Sequence, residues 1–215
     1  MKILTKKKWY IILGILIFGI IYALKNTSYL VRVVGFLFST FMFALTDRFF
    51  ALKFKPQHYI IFIFILTTGV LLSPLYFLYP NYDKILHLLN PILLGFIIFF
   101  LINKLKTNFS VKILLTFLIV VSILGLFEIG EFLLDRLFDV KAQGVYLRDT
   151  ITANKLNIIM DKNDDTMIDL ILGTLGVLMF SLLKTLKYNY ECYQKKIFPK
   201  KKKRKRKLLK KRKNN

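Results

Sequence analysis

The chain has 215 residues, of which 55% are hydrophobic, and its 34 lysines and arginines against 12 aspartates and glutamates give a formal net charge of +22. Apolar residues gathered in long runs at this content predict a membrane protein and argue against a soluble enzyme or a disordered chain. The single cysteine excludes an intramolecular disulfide and a paired-cysteine metal motif.

Each of the long apolar runs has the length of a membrane-spanning helix. The runs cover residues 9–24, 29–46, 59–79, 85–102, 113–134 and 167–186. Runs of about 16–22 residues make helices about 24–33 Å long, which matches a hydrocarbon core of about 30 Å. We therefore predict an all-α polytopic bundle of six transmembrane spans in residues 1–190, followed by a disordered polybasic tail in residues 191–215.

The lysines and arginines predict the orientation of these spans. They concentrate near the start of the chain, in the loops after the second and fourth runs, and in the tail. Because basic loops stay on the cytoplasmic side, we expect both termini in the cytoplasm and the helical body in the cell membrane. The tail is expected to lie against anionic lipid headgroups, without specific binding of nucleic acid. Its lipid-facing residues would include Lys200, Lys201, Lys202, Lys203, Arg204, Lys205 and Arg206.

Ten of the 12 acidic residues gather at one end of the bundle. They lie near the outer ends of the fourth, fifth and sixth runs or in the loop that joins the last two, residues 135–166. Long loops are often functional, so this one is expected either to fold over the helix ends as a lid or to stay mobile outside the membrane.

Polar residues of the fourth run share one helical face. Asp83, His87 and Asn90 are spaced by four and three residues, which places them one above another on a helix. Pro91 has no N–H for the carbonyl of His87, so a kink is expected there. Asp83 would either serve a site or only cap the helix start, and His87 would either serve a site or only form an interhelical hydrogen bond.

The fifth run carries a stripe of carboxylates, Glu128, Glu131 and Asp135. Glu128 lies among apolar residues and about 10 Å deeper in the membrane than Asp135. An ionised carboxylate at that depth requires a cation, a metal ion or strong hydrogen-bond donors. Asp135, in contrast, is expected to be a solvated charge at the membrane interface.

The sixth run begins with Asp165 and Asp169, and Gly173 and Gly176 follow on the same face. Small residues let a neighbouring helix approach closely, so we expect the two aspartates to lie near the carboxylates of the fifth run. For Asp165, capping of the helix start is the alternative role.

Ionisable residues of these three runs are expected to share one pocket, because polar groups at membrane depth face protein or water. A divalent metal ion would suit the oxygen-rich set. Its candidate ligands are Asp83, His87, Glu128, Asp165 and Asp169. General acid–base catalysis is a second chemistry, with the candidate catalytic residues Glu128, Glu131, His87 and Asp169. Transfer of protons or cations along the acids is a third.

Three short segments resemble known families of membrane proteins. The sequence D-K-I-L-H at residues 83–87 resembles the D-K-x-x-H start found in VanZ-like membrane proteins. Residues 128–135 and 165–170 resemble the E-x-x-E-F and D-T-M-x-D-L segments of the YjdF-type bacterial and archaeal inner-membrane proteins. The resemblance covers about residues 80–180 and implies a multi-pass membrane protein whose biochemical role is not established.

Three classes of function fit the sequence. The leading one is a non-catalytic membrane component, in which the polar cluster only holds helices together. The second is a membrane-embedded hydrolase or transferase, with or without a metal ion, that acts on a lipid or cell-envelope substrate. The third is a transporter coupled to protons or cations, although the sequence shows no internal repeat of the kind that many transporters have.

Overall fold

The structure is a computed structural model that describes residues 30–138, 141–149 and 155–197, together with Gly14. The first expected span, residues 9–24, is described only at Gly14, which is helical. The lipid-facing tail residues 200–206 lie outside the described part of the chain.

The described chain is mostly helical and contains one β-hairpin. In chain order its elements are α1 (Leu30–Phe49), α2 (Pro56–Leu66), α3 (Tyr82–Ile102), α4 (Phe109–Phe138), β1 (Val145–Arg148), β2 (Leu156–Met160) and α5 (Lys162–Ile197). Among the described residues, four helices are long and apolar enough to cross a membrane, namely α1, α3, α4 and α5. Helix α5 continues past residue 190, where we expected the helical body to end.

The third expected span is not one regular α-helix. After α2, the chain continues as a π-helical turn, Thr67–Leu71, and then as a 3-10 turn, Ser73–Phe77. Pro74 contributes to this change because it has no N–H to continue an α-helical hydrogen-bond ladder. The hydroxyl of Tyr82 donates to the carbonyl of Thr68 at 2.9 Å, so a side chain from α3 supports the irregular backbone.

The loop between α4 and α5 contains the β-hairpin, which the all-α prediction did not include. Its two strands are antiparallel, with Val145 opposite Met160 and Arg148 opposite Leu156. Strand β1 packs on the 3-10 turn that follows α2, and its residues Val145 and Tyr146 are buried. The described part of the loop therefore lies over neighbouring elements rather than extending away from them.

Helix α3 is central to the bundle, since it packs against α2, α4 and α5. The contact with α5 is the most extensive, and Gly176 allows it to be close. A Cβ atom at Gly176 would overlap the backbone carbonyl of Leu88, and one at Gly173 would lie 2.6 Å from a methyl group of Leu124. The expectation that Gly173 and Gly176 admit neighbouring helices closely is thus confirmed.

A second set of contacts joins the end of α1 to the start of α2, at the end of the bundle away from the β-hairpin. The buried carboxylate of Asp47 accepts hydrogen bonds from the hydroxyl of Tyr59 at 2.7 Å and from the N–H of Phe54 at 3.0 Å. Nδ1 of His58 accepts from the N–H of Lys55 at 3.0 Å. These bonds satisfy backbone groups where the chain turns into α2.

Replacing Gly176 with alanine should lower the free energy of unfolding by about 1–3 kcal/mol, because the carbonyl of Leu88 belongs to a helix backbone and cannot turn away. The matched control is Gly125→Ala on α4, where nothing lies within 4 Å of the added Cβ. The control should be neutral or stabilising by up to about 1 kcal/mol. Thermal unfolding of the purified protein in detergent measures both effects, and equal effects would contradict the close contact of α3 with α5.

Candidate functional site

A lysine, Lys84, lies at the centre of the polar cluster. Its Nζ lies 2.8 Å from both carboxylate oxygens of Asp169, contacts Oδ1 of Asp165, and lies 3.3 Å from Oδ2 of Asp83. The lysine side chain is 13% exposed. It belongs to α3, whereas Asp165 and Asp169 belong to α5, so these ion pairs join the two helices. We call the end of the bundle where α3 and α5 begin the hairpin end.

The imidazole of His87 links three helices. Its Nε2 lies 3.3 Å from Oδ1 of Asp83, and its Nδ1 lies 3.6 Å from Oε1 of Glu128 on α4. Nδ1 is also 4.0 Å from Oδ1 of Asp169 on α5. The expected convergence of the three helices on one cluster therefore occurs in the structure. The expected shared face of Asp83 and His87 on α3 is also present.

Glu128 is the least satisfied member of this cluster. It is 5% exposed, and its Oε2 has no hydrogen-bond partner among the described residues. Asn90, the third residue of the expected polar face, likewise has a buried Oδ1 without a partner there. Buried polar atoms without partners cost free energy, so both oxygens could accept a further donor or cation.

The cluster contains more acids than cations. The carboxylates are Asp83, Glu128, Asp165 and Asp169, and the basic groups are Lys84 and His87. Even with a protonated imidazole, ionised carboxylates would outnumber positive charges. An uncompensated buried charge is unfavourable, so this region attracts an additional cation or proton.

Two aspartates attach the base of the hairpin to the helices. Oδ2 of Asp165 accepts a hydrogen bond from the N–H of Gly144 at 2.7 Å. Asp135 is paired with Lys162 at 2.7 Å and accepts from the N–H groups of Ala142 and Gln143. The expectation that Asp135 is a solvated interface charge is wrong, because these donors from the loop and from α5 enclose its carboxylate.

Asp165 does not cap the start of α5. Its carboxylate faces Lys84 and Gly144 instead. Asp161 fulfils the capping role, since its Oδ1 accepts from the N–H groups of Asn163 and Asp164 at 2.9 and 3.0 Å.

A cavity of about 270 Å³ lies beside the cluster at the hairpin end. Its wall includes both acids and bases, contributed by Arg32 of α1, Asp83, Glu131 and Lys141. Asp83 thus belongs to the cluster and also borders the cavity. Glu131, which we expected in the same pocket as His87, lines this cavity.

Lys84 was not among the site residues predicted from the sequence. It entered only as the lysine of the D-K-I-L-H segment at residues 83–87. One feature of the sequence could have indicated its role. Lys84 follows Asp83 directly and lies within one turn of His87, at the start of an apolar run. The contribution of Arg32 had no local signal, because it comes from a helix distant in sequence.

Replacing Asp135 with alanine should loosen the base of the hairpin, because two N–H groups and one ammonium group lose their acceptor. We expect hydrogen exchange at the amides of Ala142 and Gln143 to rise about tenfold, corresponding to about 1–2 kcal/mol. Mass-spectrometric exchange on the purified protein measures this rise. The control is Asp164→Ala at an exposed position of α5, and exchange that rises equally in both variants would refute the attachment.

Comparison with known proteins adds a family assignment to this geometry. The family described as "Predicted membrane protein (DUF2238)" matches residues 7–189, and the chain therefore belongs to it. The matched range includes every described residue of the cluster and of the cavity. No curated protein and no solved structure matches the chain.

Proposed function

We propose that this member of a membrane-protein family is a non-catalytic, multi-pass component of the cell membrane, in which the cluster around Lys84 locks α3, α5 and the hairpin together. The ion pairs of Lys84 with Asp165 and Asp169 support this function most directly. They connect two helices, and Asp165 also holds Gly144 at the base of the hairpin.

A polar lock of this kind suits a membrane protein. Lipid tails are as apolar as leucine side chains, so apolar contact alone does little to hold membrane helices together. A buried ion pair whose partners are both present is tolerated, whereas loss of one partner leaves an unpaired charge. Both nitrogens of His87 face carboxylates, which favours a structural imidazole over a general base directed at a substrate.

We further propose six spans with both termini in the cytoplasm. The apolar helix Pro56–Leu71 and the run at residues 9–24 would supply the two spans beyond the four long helices. Basic residues support the orientation at the end opposite the hairpin. There, Nζ of Lys104 contacts the carbonyl of Leu52, so two lysine-bearing loops meet. Basic loops favour the cytoplasm, and the tail that includes residues 200–206 would lie there against anionic lipid.

A membrane-embedded hydrolase or transferase is the second candidate, and the cavity favours it. Asp83 and Glu131 both line this space of about 270 Å³, where one could act as acid and the other as base on a lipid or envelope substrate. The third alternative, a transporter coupled to protons or cations, stays a prediction from the sequence.

Replacing Lys84 with methionine should lower the free energy of unfolding by about 3–5 kcal/mol, because Asp165 and Asp169 lose their ammonium partner. Adding Asp169→Asn to this variant should recover part of the loss, since it removes one of the unpaired charges. Urea or thermal unfolding in detergent measures the three variants against wild type.

The matched control for the lysine substitution is Lys112→Met on α4. Lys112 is half-buried, and its Nζ contacts Asn103, at 3.0 Å to Oδ1 and 3.1 Å to the backbone carbonyl. The control should change stability by less than about 0.5 kcal/mol. If Lys84→Met loses no more stability than Lys112→Met, the proposed role of Lys84 in holding the helices together is wrong.

The two candidate functions differ in what Glu131 does. For a non-catalytic component, cells that overproduce wild type and cells that overproduce Glu131→Gln should have the same envelope lipid composition. Quantitative lipid mass spectrometry at matched expression provides the comparison, with Asp164→Asn as a control for overproduction. One result would contradict the non-catalytic function and support the enzymatic one. It is a lipid species whose abundance responds to wild type and to Asp164→Asn but not to Glu131→Gln.

A further inference from the structure

Three side chains of the cluster offer nitrogen and oxygen ligand atoms close together. One ligand atom each from Asp83, His87 and Asp169 can be chosen so that all lie within 4.8 Å of one another. Ligands on one first-row divalent ion at 2.0–2.2 Å are separated by at most about 4.4 Å. Only two ligands on opposite sides of an ion reach that separation, so the three side chains would have to move closer together to bind one ion.

Glu128 provides a second, independent indication of a cation. This residue is 5% exposed, yet its Oε2 has no hydrogen-bond partner among the described residues. Its other oxygen lies 3.6 Å from Nδ1 of His87, so the carboxylate is directed into the cluster. A bound divalent ion would provide the partner that Oε2 lacks among the described residues.

The surroundings of His87 also resemble those of a metal ligand. Metal-binding histidines almost always donate their second ring N–H to a carboxylate, a carbonyl or water. Nε2 faces Asp83 and Nδ1 faces Glu128, so whichever nitrogen binds an ion, the other keeps a carboxylate beside it. Asp83 also borders the cavity, which gives an ion a route from the hairpin end.

We propose that Asp83, His87 and Asp169 bind one first-row divalent metal ion, with Glu128 as the neighbouring carboxylate that supports the imidazole or completes the ligand set. One nitrogen and several oxygens suit Mn²⁺, Fe²⁺ or Zn²⁺. Lys84 holds both oxygens of Asp169 at 2.8 Å, so the ammonium group and the ion compete for this carboxylate.

Mn²⁺ is the appropriate probe because the exposed thiol of Cys192 would bind softer ions. The full chain, purified without a histidine tag and stripped with a chelator, is equilibrated with Mn²⁺ and analysed by elemental mass spectrometry. We expect about one ion per chain in wild type, and at least tenfold weaker binding in His87→Gln and in Asp169→Asn.

The chain offers matched controls for both substitutions. His58→Gln replaces the other buried histidine, which lies at the opposite end of the bundle, and Asp164→Asn replaces an exposed aspartate of α5. Both controls should bind Mn²⁺ as wild type does. No bound ion in wild type, or equal loss in His58→Gln and His87→Gln, would overturn the metal site.

Competition with Lys84 allows a test in which binding is expected to become tighter. This test does not depend on variants that lose binding. Lys84→Met removes the competing ammonium group and should bind Mn²⁺ at least tenfold more tightly than wild type. Added Mn²⁺ should also raise its melting temperature by more than it raises that of wild type. Unchanged or weaker binding in Lys84→Met would refute the site, whatever this substitution does to stability without metal.

Discussion

The ion pairs between Lys84 of α3 and the aspartates of α5 are the interaction on which the described structure most depends. A charged group within a membrane helix is unfavourable unless it finds a partner, and here the partners come from a different helix. The pairing is possible only because Gly176 lets the backbones of α3 and α5 approach closely. Backbone packing and charge neutralisation thus require each other.

This dependence extends beyond the two helices. Asp165 contacts Lys84 with one carboxylate oxygen and accepts from Gly144 with the other. A change in the charge of the cluster would therefore reach the hairpin through a single side chain. In the same way, Asp83 contacts His87 in the cluster and also lines the cavity. The carboxylates that join the helices are consequently the same ones that the proposed metal ion would use.

Much of the bundle could be predicted from local spacing. Apolar length indicated α3, α4 and α5, and the helical repeat placed Asp83 beside His87 because both depend only on neighbours along one helix. The glycines of α5 were also informative, because small residues have few other uses in a membrane helix.

What the sequence did not predict depends on contacts between distant segments. Asp135 is enclosed by donors from residues 141–162, and no local pattern shows where a loop will return. The hairpin was missed because its strands are short and lie in a polar loop. Lys84 was not singled out, because a lysine near a helix end usually reaches the interface. In the structure, two carboxylates from α5 hold it inside instead.

The π-helical turn Thr67–Leu71 has a consequence for how this chain tolerates deletions. Such a turn contains one residue more than the regular repeat, and each residue rotates a helix by about 100°. Removing one residue there would make the segment regular but would turn its two flanks relative to each other. After such a deletion, the hydrogen bond of Tyr59 to Asp47 and the position of Tyr76 in the cavity wall could not both be preserved. The π-helical turn thus sets the rotation of the residues before it, which contact α1, relative to the residues after it, which line the cavity.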